Sequence, residues 1–342
     1  MEKIKEVKNM SKIHKKALLM LFFCYNELGD YMKSINVIFM GTPDFAVPIL
    51  EKLIEVTNVI MVVSQPDKEI GRKRELEATP VKKMALSHNI EVYQPNKIKE
   101  EYEYITNKKP DLIITCAYGQ IVPKEILECP RLGCINVHAS LLPKLRGGAP
   151  IHHAIIDGYE KTGVTIMYMD QKMDTGDMIS QVEYTIKDTD NVGTLHDILS
   201  ELGTKLLIDT LPSIINGTNN RTPQNHEEAT YAWNIKREEE HVDFNRSAKE
   251  VYNQIRGLNP WPKAYTIIND LEVKIVECYI GEKDSNFSSG TICELSKDKI
   301  GICTKDKVIY ITKVKPFGKK EMPALDYING LNKDKVLHTI VE

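Results

Sequence analysis

Five short apolar runs, at residues 35–40, 59–63, 90–93, 111–115 and 134–138, recur along the first half of the chain with amphipathic stretches between them. Runs this short and rich in Ile and Val read as buried strands rather than core helices. Strand and helix alternating at this spacing predict an α/β domain. Its sheet is mostly parallel with helices on both faces, because parallel neighbours need a crossover between them. Thr79-Pro80 marks a helix start, Thr capping the first amides and Pro filling the first helical position, and so predicts a helix over 80–88. A helix to Asp157, strands at 163–169 and 178–185, and a long helix through 194–214 follow.

The stretch 216–226 is polar, rich in turn formers and without apolar period, which predicts a linker, taken here as 216–230. A second domain then occupies 231–342. In it a helix near 247–256 precedes strand-like runs at 264–268, 272–279, 290–293, 299–303 and 307–314, the pattern of a small all-β barrel.

The 45 Lys and Arg are balanced by 48 Asp and Glu, a formal charge of −3, so any nucleic-acid contact must be a local patch rather than the whole surface. The seven cysteines are scattered and contain no C-x-x-C pair, which disfavours zinc ribbons and disulfide frameworks and fits a reducing cytoplasm. Residues 1–31 stand apart. Lys15 and Lys16 precede a short apolar run, 17–25, like a secretory signal, but no small-residue cleavage site follows and the first strand begins almost at once. Met32 is a natural start, and Leu28-Gly29-Asp30-Tyr31 can be encoded by a purine-rich ribosome-binding sequence. Residues 1–31 are therefore expected to be misread leader or a dispensable extension.

After the first strand comes Gly41-Thr42-Pro43-Asp44-Phe45, where a dinucleotide-binding protein would carry G-x-G-x-x-G; Pro43 removes an amide that a pyrophosphate would use. A dehydrogenase is thereby disfavoured. The richest segment is Asn136-Val137-His138-Ala139-Ser140-Leu141-Leu142-Pro143. Asn136 and His138 lie two apart on a strand, so an amide donor and an imidazole share one face and can converge on one carbonyl oxygen. Met173-Asp174-Thr175-Gly176-Asp177 presents carboxylates in a turn. A carboxylate beside His138 would fix its tautomer and favour its protonated form, with Asp174 the better candidate and Asp177 reading as a solvated turn acid. His138, His152, His153, Asp170 and Asp174 have metal-ligand chemistry but no metal-ligand spacing, so no metal is expected. With no G-x-S-x-G elbow, and no base evident beside Cys134, the pattern suits acyl transfer to a nucleophile that the substrate supplies.

These residues resemble the folate-dependent formyltransferases, which share Asn-x-His-x-Ser-Leu-Leu-Pro, a glycine-bearing loop and a later Asp-x-Gly turn. Within that family, Met40 through Ala46, Gln65-Pro66-Asp67, Gly71-Arg72, Thr79 through Lys82, Ala117-Tyr118-Gly119, Gly163 through Met167, Asp174 through Met178, Asn259-Pro260-Trp261-Pro262 and Gly318-Lys319-Lys320 are similar to the members acting on methionyl-tRNA. The resemblance runs from about Met32 to the carboxyl terminus.

It implies a Rossmann-like formyltransferase domain over 32–215 and an OB-like barrel for tRNA binding over 231–342. The implied activity moves formyl from 10-formyltetrahydrofolate to the α-amino group of methionyl initiator tRNA. Asn136 would donate to the developing oxyanion, His138 would add polarisation or a proton, and Asp174 would orient His138 and assist proton removal. Folate is expected against Ser140, Leu141, Leu142 and Pro143 and the backbone of Ala117, Tyr118 and Gly119. tRNA is expected on a flexible basic loop, 68–74, with Arg72, Lys73 and Arg74, and on Lys313, Lys315, Lys319 and Lys320. Glu69, Glu75 and Glu77 dilute the charge of that loop. Trp261, between two prolines, reads as core or domain-interface packing rather than a base-stacking platform. The expectation is a monomeric cytoplasmic enzyme without membrane attachment. An amino-sugar-nucleotide N-formyltransferase and a non-catalytic folate-binding module are the alternatives.

Overall fold

The computed structural model describes residues 31–70, 74–296 and 298–341, so the expected extension, residues 1–31, lies outside the described residues save for Tyr31. The first part of the chain builds one sheet, the helices that cover it and a separate hairpin. β1 (Asn36–Gly41), α1 (Val47–Val56) and β2 (Asn58–Val63) come first, then a hairpin of β3 (Lys68–Ile70) and β4 (Glu75–Glu77). α2 (Pro80–Ser87), β5 (Val92–Tyr93), α3 (Glu103–Thr106), β6 (Leu112–Cys116), α4 (Lys124–Leu127) and β7 (Cys134–His138) follow. α5 (Pro150–Ile156), β8 (Lys161–Tyr168), β9 (Met178–Thr185) and the long α6 (Val192–Ile215) complete it.

The sheet has the order β5-β2-β1-β6-β7-β8-β9. Its first five strands run parallel, and β8 and β9 add antiparallel at one edge. Apolar side chains leave the sheet on both faces. Phe39, Ile114, Val137 and Val164 pack under α1 and α6, while Ile38, Met61, Ile113 and Ile126 pack on the other side with Ile98 and Ile105. Met32, the expected start, is itself buried in the first of these clusters. Thr79 caps α2 by accepting from Lys82 N, and α6 begins at Val192 rather than 194 because Asn191 and Thr194 form a reciprocal capping box.

The loop 68–74, expected to be flexible, is in part a hairpin, with Lys68 paired to Glu77 and Ile70 to Glu75. Its tip, Gly71 to Lys73, lies outside the described residues.

The second sheet is antiparallel. α7 (Ala248–Gly257) precedes β10 (Tyr265–Ile268), β11 (Leu271–Asp284), β12 (Ile292–Leu295), β13 (Ile300–Cys303), β14 (Lys307–Pro316) and β15 (Met322–Pro323), then α8 (Ala324–Asn329) and α9 (Lys333–Val336). Strand order is β10-β11-β14-β13-β12, with β15 on β14. Register breaks in the β11–β14 ladder bend these long strands, curling the sheet into a half-barrel over Val251, Ile255 and Ile328.

The two sheets meet where α5 packs on α7. His152 Nδ1 donates to Gly257 O (2.8 Å), and Arg256 donates to the carbonyls of Lys187 and Asp190. Trp261 stands at this seam with its ring edge-on to His196 of α6, 5.4 Å between centroids. Among the described residues no helix is long and apolar enough to cross a membrane.

Candidate functional site

The chain lays β2 and β5 on one side of β1, then returns to place β6 on the other. Such a reversal opens a crevice at the carboxyl ends of the strands. The next strand, β7, brings Asn136 and His138 to that edge on one face. Thr115, the register partner of Asn136 on β6, donates from Oγ1 to Asn136 Oδ1 at 2.9 Å. With its oxygen held, the amide presents its NH2 end as the donor.

His138 is buried, and its Nε2 lies 3.0 Å from Leu145 O. A carbonyl only accepts, so Nε2 carries a proton and Nδ1 faces Asp174 Oδ1 at 3.8 Å. This corrects one expectation: the Leu145 carbonyl, not Asp174, sets the tautomer. Asp174 opposes a lone pair when the ring is neutral and a second N–H when it is protonated, so its charge acts on the imidazolium. Its other oxygen, Oδ2, accepts from Gly147 N at 2.8 Å. Asp174, Leu145 and Ala117 all adopt left-handed backbone, with φ of 54°, 57° and 48°. Non-glycine residues pay for that conformation only where their surroundings hold it, and here three of them ring one crevice.

The holding is done by residues that carried no sequence signal. Arg146 is 2% exposed; its Nε and Nη2 donate to Gln224 Oε1, and Nη2 also donates to His226 Nδ1. Gln224 Nε2 in turn donates to the carbonyls of Asp174 (2.9 Å) and Gly176 (2.7 Å). The segment 216–230 is therefore no free tether. It continues as an extended rail on which Arg146 N donates to Thr230 O, Ala232 N to Arg146 O, and Ala149 N to Ala232 O. At Gly147, φ is +121° and a Cβ would stand 2.5 Å from Ala232 O, so only glycine lets the rail approach. A cavity of about 560 Å³ opens between these loops, walled by Arg146, Lys172, Thr175, His226 and Tyr231 among others.

The residues expected to meet folate flank the same crevice. Ala117 and Gly119 are exposed after β6, whereas Tyr118 is buried with its carbonyl accepting from Thr42 Oγ1 and Gln65 Nε2. The Ser140 side chain is not available as expected, for it is fully buried and donates to Lys144 O. Leu142 is buried too, its N–H and carbonyl taken by Thr165 Oγ1 and Gln181 Nε2, which leaves the half-buried Leu141 and Pro143 as the surface of that turn.

Of the basic residues, Arg72 and Lys73 lie outside the described residues, and Arg74 is exposed, 3.9 Å from Glu69. Lys313 is engaged by Glu277 (3.4 Å) and Glu321 (3.6 Å), which weakens its claim on a phosphate. Lys315, Lys319 and Lys320 are exposed on and beyond the end of β14. Asp177 pairs with Arg221 at 3.1 Å, away from His138. His153 is committed to Asp157 and Trp233 O, and burial pushes the His152 imidazole below its ordinary value. Among the described residues no group of three His, Cys, Asp or Glu is arranged to hold a metal. Burial pushes the Cys116 and Cys134 thiols far up, which leaves them poor nucleophiles.

Comparison with known proteins fits this geometry. Residues 32–211 match the formyl transferase family model, and residues 234–332 match the formyl transferase C-terminal domain. A methionyl-tRNA formyltransferase of Staphylococcus epidermidis is 52% identical over 304 residues, 88% of this chain and 98% of the relative. That of Bacillus subtilis is 52% identical over 299 residues, 86% of this chain and 94% of the relative. Among solved structures, an N-formyltransferase from Helicobacter canadensis in complex with folinic acid and dTDP-3-aminofucose aligns with a TM-score of 0.60 at 22% identity, covering 81% of this chain and 98% of that one. HypX from Aquifex aeolicus in complex with tetrahydrofolic acid aligns with a TM-score of 0.60 at 17% identity, covering 90% of this chain and 49% of that one. At these identities the likeness to the solved structures is one of fold. The family models, and relatives half identical over nearly their whole length, show that the chain belongs to the formyl transferase family, in its methionyl-tRNA formyltransferase branch.

Proposed function

We propose that the chain transfers the formyl group of 10-formyltetrahydrofolate to the α-amino group of methionyl initiator tRNA in the cytoplasm. One observation carries the chemistry: an oriented amide donor, Asn136, and the buried imidazole of His138 with the half-buried carboxylate of Asp174 beside it meet at the carboxyl edge of the sheet. The incoming amine forms its bond to the formyl carbon, and the carbonyl oxygen gains charge that the Asn136 amide is oriented to receive. The amine must shed a proton as that bond forms. His138 Nδ1 is the position able to take it, since Nε2 is already protonated toward Leu145, and Asp174 stabilises the charge that results. As the carbonyl re-forms, the bond from the formyl carbon to the folate nitrogen breaks, and that nitrogen leaves with the proton His138 returns to it.

Exposed Ala117 and Gly119 and the half-buried Leu141 and Pro143 fit a flat pteridine beside this group, and the exposed Lys315, Lys319 and Lys320 fit a phosphate backbone. The amino-sugar-nucleotide reading is not favoured. The relatives at half identity carry the tRNA enzyme's name, while the sugar enzyme aligns at 22%.

The test offers 10-formyltetrahydrofolate to the protein with methionyl initiator tRNA, methionyl elongator tRNA or a 4-amino-sugar nucleotide. Formylation of the initiator alone is expected. Transfer only to the sugar would overturn the acceptor, and no transfer at all would leave a folate-binding module. Asn136→Ala is expected to lower turnover by at least about a hundredfold; near-normal turnover would remove Asn136 from this role.

A further inference from the structure

Tyr231 and Trp233 are exposed by 51% and 55%, and their rings lie parallel within 3°, with centroids 5.4 Å apart. The arrangement follows from the rail that carries them. Ala232 is fully buried and spends its N–H and carbonyl on Arg146 and Ala149, so its two neighbours, sharing the opposite face of an extended segment, both turn outward. His153 Nε2 adds a bond to Trp233 O at 3.1 Å. Two large apolar rings are thus held in water on pinned backbone, an arrangement that no core packing demands.

Their position gives the pair a use. Tyr231 lines the 560 Å³ cavity together with Arg146 and Thr175. The residues on either side of Arg146 hold the site: Leu145 O meets His138, and Gly147 N meets Asp174. The cavity wall is also cationic. Arg146 is nearly fully buried, its hydrogen-bond partners Gln224 and His226 carry no negative charge, and Lys172 stands in the same wall, offset in part by Asp170. Parallel aromatic rings on rigid backbone beside buried positive charge are how proteins take hold of unpaired nucleobases.

We propose that Tyr231 and Trp233 form a stacking platform for the unpaired 3′-terminal adenine of the acceptor tRNA. The proposal rests on the tRNA reading and deepens it. The amine to be formylated is linked through its carbonyl to the terminal ribose, so the base of that nucleotide must lie a few bonds from the crevice holding Asn136, His138 and Asp174. The platform places the terminal nucleotide at the mouth of that crevice and contributes to acceptor affinity rather than to the chemical step.

Trp233 and Trp261 are the only tryptophans in the chain, so Trp261→Phe leaves Trp233 as the reporter. Uncharged initiator tRNA is expected to quench its emission, and the same tRNA with the terminal adenosine removed is expected not to. Trp233→Ala is expected to raise the KM for methionyl-tRNA about tenfold, with kcat and the KM for 10-formyltetrahydrofolate within twofold of wild type, and Trp233→Phe to recover most of the loss. Equal quenching without the terminal adenosine, an unchanged KM in the Tyr231→Ala/Trp233→Ala double variant, or quenching by an amino-sugar nucleotide and not by tRNA would each overturn the platform. A wild-type protein that formylates no tRNA would instead overturn the functional reading itself.

Discussion

Replacing Asp174 by Asn isolates the charge that faces His138. The carboxamide keeps an oxygen for Gly147 N–H, and Asn tolerates the φ of 54° at this position, so the loop is expected to keep its shape. What disappears is the negative charge 3.8 Å from Nδ1. At that separation, and with an effective dielectric near 20, an imidazolium and a carboxylate attract by about 4 kcal/mol. The attraction exists only once the ring has taken the proton of the attacking amine, so its loss falls on the transition state and lowers the chemical rate by about a thousandfold. Single-turnover formylation in a quenched-flow instrument, with both substrates saturating, measures that step free of product release, and thermal unfolding of the variant checks the fold. A variant whose single-turnover rate stays within tenfold of wild type would refute the argument that Asp174 acts through charge on the imidazolium.

Thr115→Val removes the hydroxyl that latches Asn136 Oδ1; the amide is then free to turn, and kcat is expected to fall about tenfold, less than for Asn136→Ala, with the tRNA KM unchanged. Gln224→Ala leaves a buried guanidinium with only His226 of its two side-chain acceptors and strips two carbonyls of their donor, and is expected to cost about 3 kcal/mol of stability; urea unfolding with a loss under 1 kcal/mol would show that the network relaxes. Burial holds the His152 imidazole below its ordinary value. The unfolded chain therefore takes up a proton that the folded one resists, and stability falls as pH drops below about 6.5, by at most about 1.4 kcal/mol per pH unit from this group. His152→Asn, which keeps a donor for Gly257 O, is expected to flatten that slope between pH 6.5 and 5, and identical slopes in wild type and variant would refute it.

The side chains Asn136 and His138 could be read together because strand periodicity alone puts residues two apart on one face. Their partners could not. The Leu145 carbonyl that sets the His138 tautomer is a backbone atom, identical at every position of any sequence, and its location depends on a left-handed turn at Leu145. Gln224 sits 78 residues from the arginine it braces, inside a segment whose composition says only that it has no core of its own. Ser140 shows the converse: a polar residue in a motif reads as a ligand contact, yet it is closing its own turn on Lys144 O. The β3–β4 hairpin escaped notice because three-residue strands are too short for alternation to register. The long strands, the capped helices and the curled second sheet were legible because each declares itself through local pattern; the braces join residues far apart in the chain.

The rail from Gln224 to Ala232 also decides where this chain can be divided. A break placed after α6, at the visible change of composition, would part the two sheets cleanly but leave the first without the residues that clamp Arg146 to the Asp174 turn. Recombination between relatives therefore has its natural crossover beyond Asn234, not at Asn216. Upstream of that point, an exchanged carboxyl-terminal module would bring its own braces to a foreign active site, and module and catalyst would have to vary together.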